Sequence, residues 1–126
     1  MSDQTDELAD RRVLPLRGHR VVEIAWGDEL RFALEPFGEI AVGWGALWTE
    51  GPVTAPGARP ARLDQLDEGQ IQATVGASVL SAVGFKSGAL RVVFSNGWHL
   101  NVKSGGVFVP ASVRSGGTVI WERPHT

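Results

Sequence analysis

The chain of 126 residues contains no cysteine. This absence excludes disulfide bonds, zinc sites built on thiolates, iron–sulfur clusters and cysteine nucleophiles. A chain of this length buries roughly two-thirds of its unfolded surface, so it can be stable without such crosslinks. We therefore expect one ordinary domain, and the lack of cysteine agrees with a reducing compartment such as the cytoplasm.

The chain also lacks a long hydrophobic run. No stretch approaches the roughly 18 consecutive apolar residues that a membrane-spanning helix needs, which predicts no membrane partner. The first residues, MSDQTDELADRR, carry four acids and no apolar segment, so they match neither a secretory signal nor an anchor. We predict a cytoplasmic protein with a flexible acidic tail at 1–12 and a single β domain at 13–126.

An excess of basic residues is missing as well. The chain has 12 Lys and Arg against 14 Asp and Glu, and the excess of acid lies in the first 12 residues. The local basic cluster of Arg17, His19 and Arg20 is too small for the basic stripe that a phosphate backbone requires. We therefore predict no nucleic-acid partner.

Recognisable catalytic motifs are absent too. There is no Gly-x-Ser-x-Gly elbow, and the glycines of GWGALW (43–48) lack the spacing of a phosphate-binding loop. The three histidines, His19, His99 and His125, show no metal-ligand spacing. The sequence thus predicts no metal, no cofactor and no catalytic residue, although a triad assembled only by the fold stays open.

What the sequence has in abundance is the alternation of apolar and polar residues, starting near residue 20. This period of two is typical of half-buried strands. Further alternating strands are predicted at 78–85, 90–94 and 98–102. In the first half, the predicted inward side chains are Val22, Ile24, Trp26, Leu30, Phe32, Leu34, Ile40, Val42 and Trp44.

Three turns that end in glycine agree with this alternation. Residues that pair across a hairpin must share a face of the sheet. A three-residue loop at 95–97 pairs Val92 with Leu100, whereas a two-residue loop would place an inward residue opposite an outward one. Gly97 then takes the left-handed conformation that glycine tolerates. The same reasoning predicts three-residue loops at 36–38 and 86–88.

The two halves of the chain look related. The segment Gly18-x-x-x-Val22 matches Gly76-x-x-x-Leu80, and LRFAL (30–34) matches LRVVF (90–94). These pairs define halves at 18–44 and 76–103. The linker between them, 45–75, is predicted to begin as a Gly- and Pro-rich loop and to contain a short helix after Pro60.

A last hairpin is predicted to join Val107–Val113 to Thr118–Trp121. Together these elements predict a mainly β fold. It is an antiparallel meander barrel or sandwich built from two related three-stranded halves, with one short helix and a C-terminal hairpin.

The second half has apolar residues on the face opposite the core, where the first half is mixed. Something must cover such a face. The helix or the final hairpin is one candidate; a protein partner or a homodimer is the other. If a partner covers it, the predicted interface residues are Val83, Phe85, Arg91, Val93, His99 and Lys103.

Two tryptophans are candidates for a ligand pocket. Trp44 continues the inward alternation and is expected in the core. Trp48 lies in the predicted loop, where a large ring either packs as a plug at one end of the barrel or contacts a ligand.

The segments LPLRGHRVVEIAWGDELRFAL, GALRVVFSNGWHLNV and TVIWE resemble a family of short bacterial domains of unknown function. Its members begin with a Leu-x-Gly-x-x-Val strand, repeat a Leu-Arg-Leu type strand with an acidic or Asn-Gly turn, and end in tryptophan. The resemblance covers about residues 14–122 and departs from the pattern after Val102. It implies no catalytic or binding residues.

These observations favour a non-enzymatic protein-interaction module, for example a small inhibitor or immunity-type protein. The alternative is a small-ligand binder or an enzyme that uses an aromatic-lined cavity at the end of the barrel. A homo-oligomer with a structural role is a third reading. Enzymatic activity stays an open question at this point.

Overall fold

The computed structural model describes residues 11–105 and 108–123, which form eleven strands, a 3₁₀ turn and one short helix. The strands of the first half are β1 (Arg11–Val13), β2 (Arg20–Ala25), β3 (Leu30–Glu35), β4 (Gly38–Val42), β5 (Leu47–Glu50) and β6 (Ala61–Arg62). A 3₁₀ turn (Leu63–Gln65) and α1 (Glu68–Gln72) follow. The remaining strands are β7 (Val79–Phe85), β8 (Leu90–Phe94), β9 (Trp98–Val102), β10 (Ala111–Ser115) and β11 (Thr118–Glu122).

The strands form two antiparallel sheets, one of six strands and one of five. The six-stranded sheet has the order β1-β7-β8-β9-β5-β6, and the five-stranded sheet has the order β11-β10-β4-β3-β2. The mainly β prediction is confirmed. Of the two predicted architectures, the sandwich is the one that fits two separate sheets enclosing a common core.

Each predicted three-stranded half lies in a different sheet. The meander β2–β4 belongs to the five-stranded sheet and β7–β9 to the six-stranded sheet. The next strand along the chain then crosses over: β5 follows β4 but pairs with β9, and β10 follows β9 but pairs with β4. The two halves are therefore tied together by an exchange of strands.

A bulge corrects the predicted inward residues of β2. The pairing of β2 with β3 shifts between Val21 and Glu23, so Val21 is buried and Val22 is exposed, the reverse of the prediction. The shift between Val79 and Ser81 does the same in β7, where Leu80 is exposed. An extra residue in one strand changes the side on which every residue before it lies, and alternation alone does not reveal it.

Two predicted hairpin registers are confirmed. Val92 lies opposite Leu100 in the pair β8–β9, and Gly97 has a φ of 93°. In the pair β7–β8, Val83 lies opposite Arg91 around the loop at 86–88, and Gly88 has a φ of 97°. Both glycines adopt the left-handed conformation that the three-residue loops require.

The loop predicted at 36–38 is wrong in register. Gly38 lies within β4 and pairs with Leu34, and the residue with positive φ is the exposed Phe37. Glu39 consequently lies opposite Ala33, while Glu35 lies opposite Arg20 on the other side of β3. Each side chain nevertheless stays on its predicted face of the sheet, because the register shifts by an even number of residues.

The last hairpin is shorter than predicted. It begins at Ala111, and the turn is the pair Gly116-Gly117, with Ser115 opposite Thr118. Both glycines have positive φ, which suits a two-residue hairpin turn. The predicted start at Val107 lies outside the described residues, as do His125 and residues 1–10 of the predicted tail.

The linker contains more regular secondary structure than the predicted loop and short helix. It contributes strand β5, which pairs with β9, and its helical part is divided into the 3₁₀ turn and α1. The buried side chains of Leu63 and Ile71 anchor these two short elements in the core. Near the amino terminus, β1 includes Arg11 and Arg12, which were predicted to belong to the flexible tail.

Aromatic rings from both sheets meet at the centre of the core. The rings of Phe32 and Trp48 stack with centroids 6.2 Å apart, and Trp48 stacks on Trp98 at 5.6 Å. Phe94 packs against both Phe32 and Trp48. Trp48 is therefore a fully buried residue of β5, and its predicted position in a loop is wrong.

Candidate functional site

A groove lies on the outer face of the six-stranded sheet, the face opposite the core. Its cavity has a volume of about 640 Å³ and is open on one side. Strands β7, β8, β9 and β5 and the segments on either side provide its walls. It is lined by Leu47, Pro52, Val53, Thr54, Ser81, Phe85, Ala89, Leu90, Arg91, Val93, His99, Asn101, Val102, Lys103, Ser104 and Gly105.

The strand registers explain why the polar residues of the groove are neighbours. Asn101 in β9 lies opposite Arg91 in β8 on one side and opposite Leu47 in β5 on the other. The next row is displaced by two residues and places His99 between Val93 and Thr49. Directly paired residues share a face with Cβ atoms about 5 Å apart, so these rows form one continuous surface.

The segment after β5 covers one side of the groove. Pro52, Val53 and Thr54 form this wall. The predicted covers, the short helix and the final hairpin, are not lining elements among the described residues. α1 turns Ile71 into the core, and the hairpin β10–β11 extends the five-stranded sheet instead.

Arg123 holds the loop at one end of the groove. Its guanidinium donates to the carbonyl oxygens of Ser104 and Val109, each at 3.0 Å, and lies 4.7 Å from the ring centroid of Phe108. Ser104 is itself a lining residue. A buried arginine thus fixes the position of this end, because its fork of donors binds two separate parts of the loop.

Five of the six predicted interface residues line the groove: Phe85, Arg91, Val93, His99 and Lys103. The sixth, Val83, is only 6% exposed and is not a lining residue. It lies between Val13 of β1 and Arg91 of β8. The Phe85 ring is flanked by two guanidinium groups, those of Arg11 at 5.0 Å and Arg91 at 5.8 Å.

Three buried polar atoms on this face have no hydrogen-bond partner: Thr49 Oγ1, His99 Nδ1 and Asn101 Nδ2. Thr49 is 1% exposed and Asn101 is 8% exposed. An unpaired buried polar group costs about 1–3 kcal/mol, so three on adjacent strands mark a place where a polar group from outside is favoured. Of these three residues, His99 and Asn101 line the groove, and Thr49 does not. Two further such atoms among the described residues, Trp48 Nε1 and Thr74 Oγ1, also belong to residues outside the lining.

Only part of this cluster is predictable from the sequence. Alternation in the predicted strand 98–102 puts Asn101 on the same face as His99, but a polar residue on that face is expected to be exposed to water. Thr49 was missed because β5 was assigned to a loop. The signal that would have found it is the apolar and polar alternation of Leu47, Trp48 and Thr49, which is too short to stand out among glycines and prolines.

The described lining of the groove is positive. Arg91 and Lys103 are its cationic lining residues, and no Asp or Glu lines it within the described part of the chain. Burial, and to a smaller extent the charge of Arg91, lower the pKa of His99 below its usual value. The imidazole is therefore neutral near pH 7 and offers the cavity one donor and one acceptor nitrogen.

Trp44 lines a different cavity, of about 540 Å³, near the 3₁₀ turn and α1. Its ring stacks on Trp26 with centroids 6.0 Å apart, and its Nε1 donates to the Gly27 carbonyl oxygen at 2.8 Å. Trp44 is partly buried and Trp26 is 37% exposed. The prediction of a pocket residue therefore remains untested for Trp44, whereas Trp48 lines neither cavity.

Within residues 11–105 and 108–123, no three His, Asp or Glu side chains come together as a metal site would require. In the same part of the chain, no helix has the length and apolar character needed to cross a bilayer.

Comparison with protein families identifies the domain. The model of DUF6188, a family of unknown function, matches residues 12–108. The chain belongs to this family. The resemblance to a family of unknown function is thereby confirmed. The DUF6188 match includes every lining residue of the groove and stops before the hairpin β10–β11. No curated protein and no solved structure matches the chain.

Proposed function

We propose that this chain is a non-enzymatic interaction module that holds a segment of a partner protein in the groove of the six-stranded sheet. The observation that carries the proposal is the unpaired amide of Asn101, buried in a groove with mostly apolar walls. Binding sites combine apolar walls with a few placed polar groups in this way. Apolar contacts supply affinity, and the unpaired groups select what is bound.

The shape of the groove favours an extended segment as its occupant. Its floor spans strands β7, β8 and β9, and the segment 52–54 forms a wall on one side only. A peptide lying in such an open trough buries one side against Phe85 and Val93 and leaves the other side in water. This arrangement is typical of peptide recognition by a preformed surface.

A second copy of the chain is a poorer occupant. In a twofold symmetric dimer the same patch meets itself. Joining two such grooves would bring Arg91 and Lys103 of one copy toward those of the other, with no acid in the described part of the lining to offset them. Like charges brought together in this way oppose association. We therefore propose a heterologous partner.

The proposal is tested by selecting binders from a random peptide library displayed on phage. Binding of the selected peptides is then measured against the intact chain and against Ala89→Trp, which fills the groove. We expect micromolar dissociation constants for the intact chain and a loss of at least about tenfold for the variant. Backbone amide shifts in NMR spectra should change mainly between Ser81 and Lys103.

Val119→Thr is the matched control, since Val119 is exposed on β11 and is not a lining residue. It should bind the selected peptides as the intact chain does. If no peptide is selected, or if the shifts fall on the five-stranded sheet, the proposed function is wrong. Equal binding by Ala89→Trp would lead to the same conclusion.

The stacked pair Trp26 and Trp44 favours a second candidate function, the binding of a flat apolar small molecule. The exposed Trp26 ring lies at a cavity of about 540 Å³, and stacking on it would bury one face of a flat ligand. Quenching of tryptophan fluorescence by a library of aromatic compounds tests this function. Loss of the quenching in Trp26→Leu supports it, whereas unchanged quenching in that variant excludes this site.

A further inference from the structure

We infer that the partner segment presents an acidic side chain flanked by apolar residues, and that Asn101, Arg91 and His99 bind its carboxylate at the floor of the groove. This inference rests on the proposed function and adds the chemistry of the partner. Asn101 and Arg91 are direct neighbours across β8 and β9, and His99 is on the same face of β9. They form a compact polar site inside an apolar groove.

The unpaired group of Asn101 indicates an acceptor in the partner. Its amide nitrogen carries two hydrogens, has no hydrogen-bond partner, and belongs to a side chain that is only 8% exposed. A carboxylate only accepts hydrogen bonds and has two oxygens with which to do so. Hydrogen bonds to a charged acceptor are also about twice as strong as those between neutral groups.

The charges around Asn101 indicate that this acceptor is an anion. Arg91 contacts the ring of Phe85 and forms no ion pair within the described residues, and Lys103 also forms none there. No acid among the described residues lines the cavity to neutralise either of them. A guanidinium beside an amide donor can bind both oxygens of one carboxylate, because its donors are arranged as a fork.

The apolar residues of the groove define the neighbours of that acid. Phe85, Val93, Leu47 and Val53 surround the polar site, so residues on either side of the bound carboxylate would bury apolar side chains. A short sequence of the type apolar-acid-apolar fits this order. Burial of these side chains also excludes water and strengthens the charged hydrogen bonds.

A side-chain carboxylate fits better than the carboxylate at the end of a chain. Terminal carboxylates are usually captured by nests of free backbone amides. The backbone amides beneath this site belong to strands β5, β8 and β9, which are interior strands of the sheet and pair on both sides. The free donors here are side chains instead.

The test uses the groove-binding peptides and three synthetic forms of each. One form has Gln in place of its acidic residue, one has an amidated carboxyl terminus, and one is unchanged. We expect the Gln form to lose at least about tenfold in affinity, as a charged hydrogen-bonded contact is removed. The amidated form should bind like the unchanged peptide. A loss caused by amidation alone would overturn the side-chain assignment.

Variants of the chain locate the carboxylate. Arg91→Gln and Asn101→Asp should each lower the affinity for the acidic peptide by at least about tenfold. The affinity for the Gln peptide should fall much less. Arg114→Gln is the control, since Arg114 lies on the five-stranded sheet and should leave both affinities unchanged. Circular dichroism and thermal unfolding check that each variant is folded.

A salt titration of the intact chain needs no variant. Affinity for the acidic peptide should fall as ionic strength rises, and affinity for the Gln peptide should change little. If the selected peptides bind the groove but carry no acid, or bind independently of salt, the inference is wrong while the proposed function stands. If no peptide binds the groove, both are wrong.

Discussion

Arg91 of β8 lies directly opposite Asn101 of β9 on the outer face of the six-stranded sheet. The pair joins a positive charge to a buried amide donor that has no hydrogen-bond partner among the described residues. Both residues line the same cavity. A pair of this kind favours binding rather than stability, since its donors are satisfied best when an acceptor arrives from outside.

Removing the unpaired amide should make the protein more stable. Asn101→Leu replaces a buried polar side chain by an apolar one of similar size and removes the cost of its unpaired donor. We expect the free energy of unfolding to rise by about 1–2 kcal/mol, measured by urea denaturation. Affinity for the acidic peptide should be lost in the same variant.

Asn96→Ala provides the contrast for this prediction. Asn96 Oδ1 accepts a hydrogen bond from the Trp98 backbone amide at 3.2 Å, so this asparagine is paired. Its removal should lower the free energy of unfolding by about 0.5–1.5 kcal/mol. Should Asn101→Leu prove as destabilising as Asn96→Ala, the amide of Asn101 contributes to the fold and is not held for a ligand.

Stability should decrease as the pH falls below about 6.5, the usual pKa of histidine. Burial and the charge of Arg91 lower the pKa of His99 in the folded protein. The unfolded chain therefore takes up the proton at a higher pH than the folded one, and the free energy of unfolding falls as the pH drops toward the folded value. Urea denaturation between about pH 7.5 and about pH 5 measures this slope.

His99→Gln should reduce that slope. A bound carboxylate favours the protonated imidazole of His99, because its negative charge offsets the positive charges of the imidazolium, Arg91 and Lys103. Affinity for the acidic peptide should accordingly increase over the same fall in pH. A slope that is identical in the intact chain and in His99→Gln would show that other groups cause it.

Gly84→Ala should be strongly destabilising. A Cβ at this position of β7 would lie about 2.6 Å from Cδ1 and 2.8 Å from Cε2 of Trp121, which leaves no room for a methyl group. The tryptophan of β11 would have to move, and we expect a loss of about 1–3 kcal/mol in the free energy of unfolding. Thermal and urea unfolding measure it.

Gly27→Ala is the matched control for that loss. A Cβ there would meet only the Glu29 carbonyl oxygen, at 4.0 Å, and the residue has no positive φ. Its effect should stay within about 0.5 kcal/mol. Near-equal stability of the two variants would mean that Trp121 does not pack on Gly84 as described.

Polar substitutions at two positions of β7 should distinguish a residue of the fold from a residue of the binding surface. Val83 is 6% exposed, so Val83→Asp buries a carboxylate and should lower the free energy of unfolding by at least about 2 kcal/mol. Phe85 lines the groove and is partly exposed. Phe85→Ser should remain folded and lose peptide affinity. Binding that survives in Phe85→Ser would contradict the proposed contact surface.

Local patterns predicted much of the sheet geometry. Gly97 and Gly88 end short loops between alternating strands, and both have positive φ. A three-residue loop keeps the paired residues of both strands on the same face of the sheet, whereas a two-residue loop does not. The registers of β7–β9 follow from that requirement and are confirmed. The same reasoning failed for the loop at 36–38, because the turn residue with positive φ is Phe37 rather than a glycine.

Part of the binding site was also predictable. Phe85, Arg91, Val93, His99 and Lys103 share a face by simple alternation once the strands are assigned. Strand β5 and the wall at 52–54 were not predictable. β5 becomes a strand because it pairs with β9, about fifty residues further along the chain, and nothing in its own four residues requires that pairing.

The sequence by itself determined the strand-rich character of this protein, two of its glycine turns and the apolar outer face of its second half, because these depend on the period of two and on backbone conformation. Only the tertiary structure decided that β5 and β10 cross between the sheets, that bulges bury Val21 and Val79, and that the Asn101 amide is enclosed without a partner. These features arise from contacts between distant segments, which a local pattern does not encode.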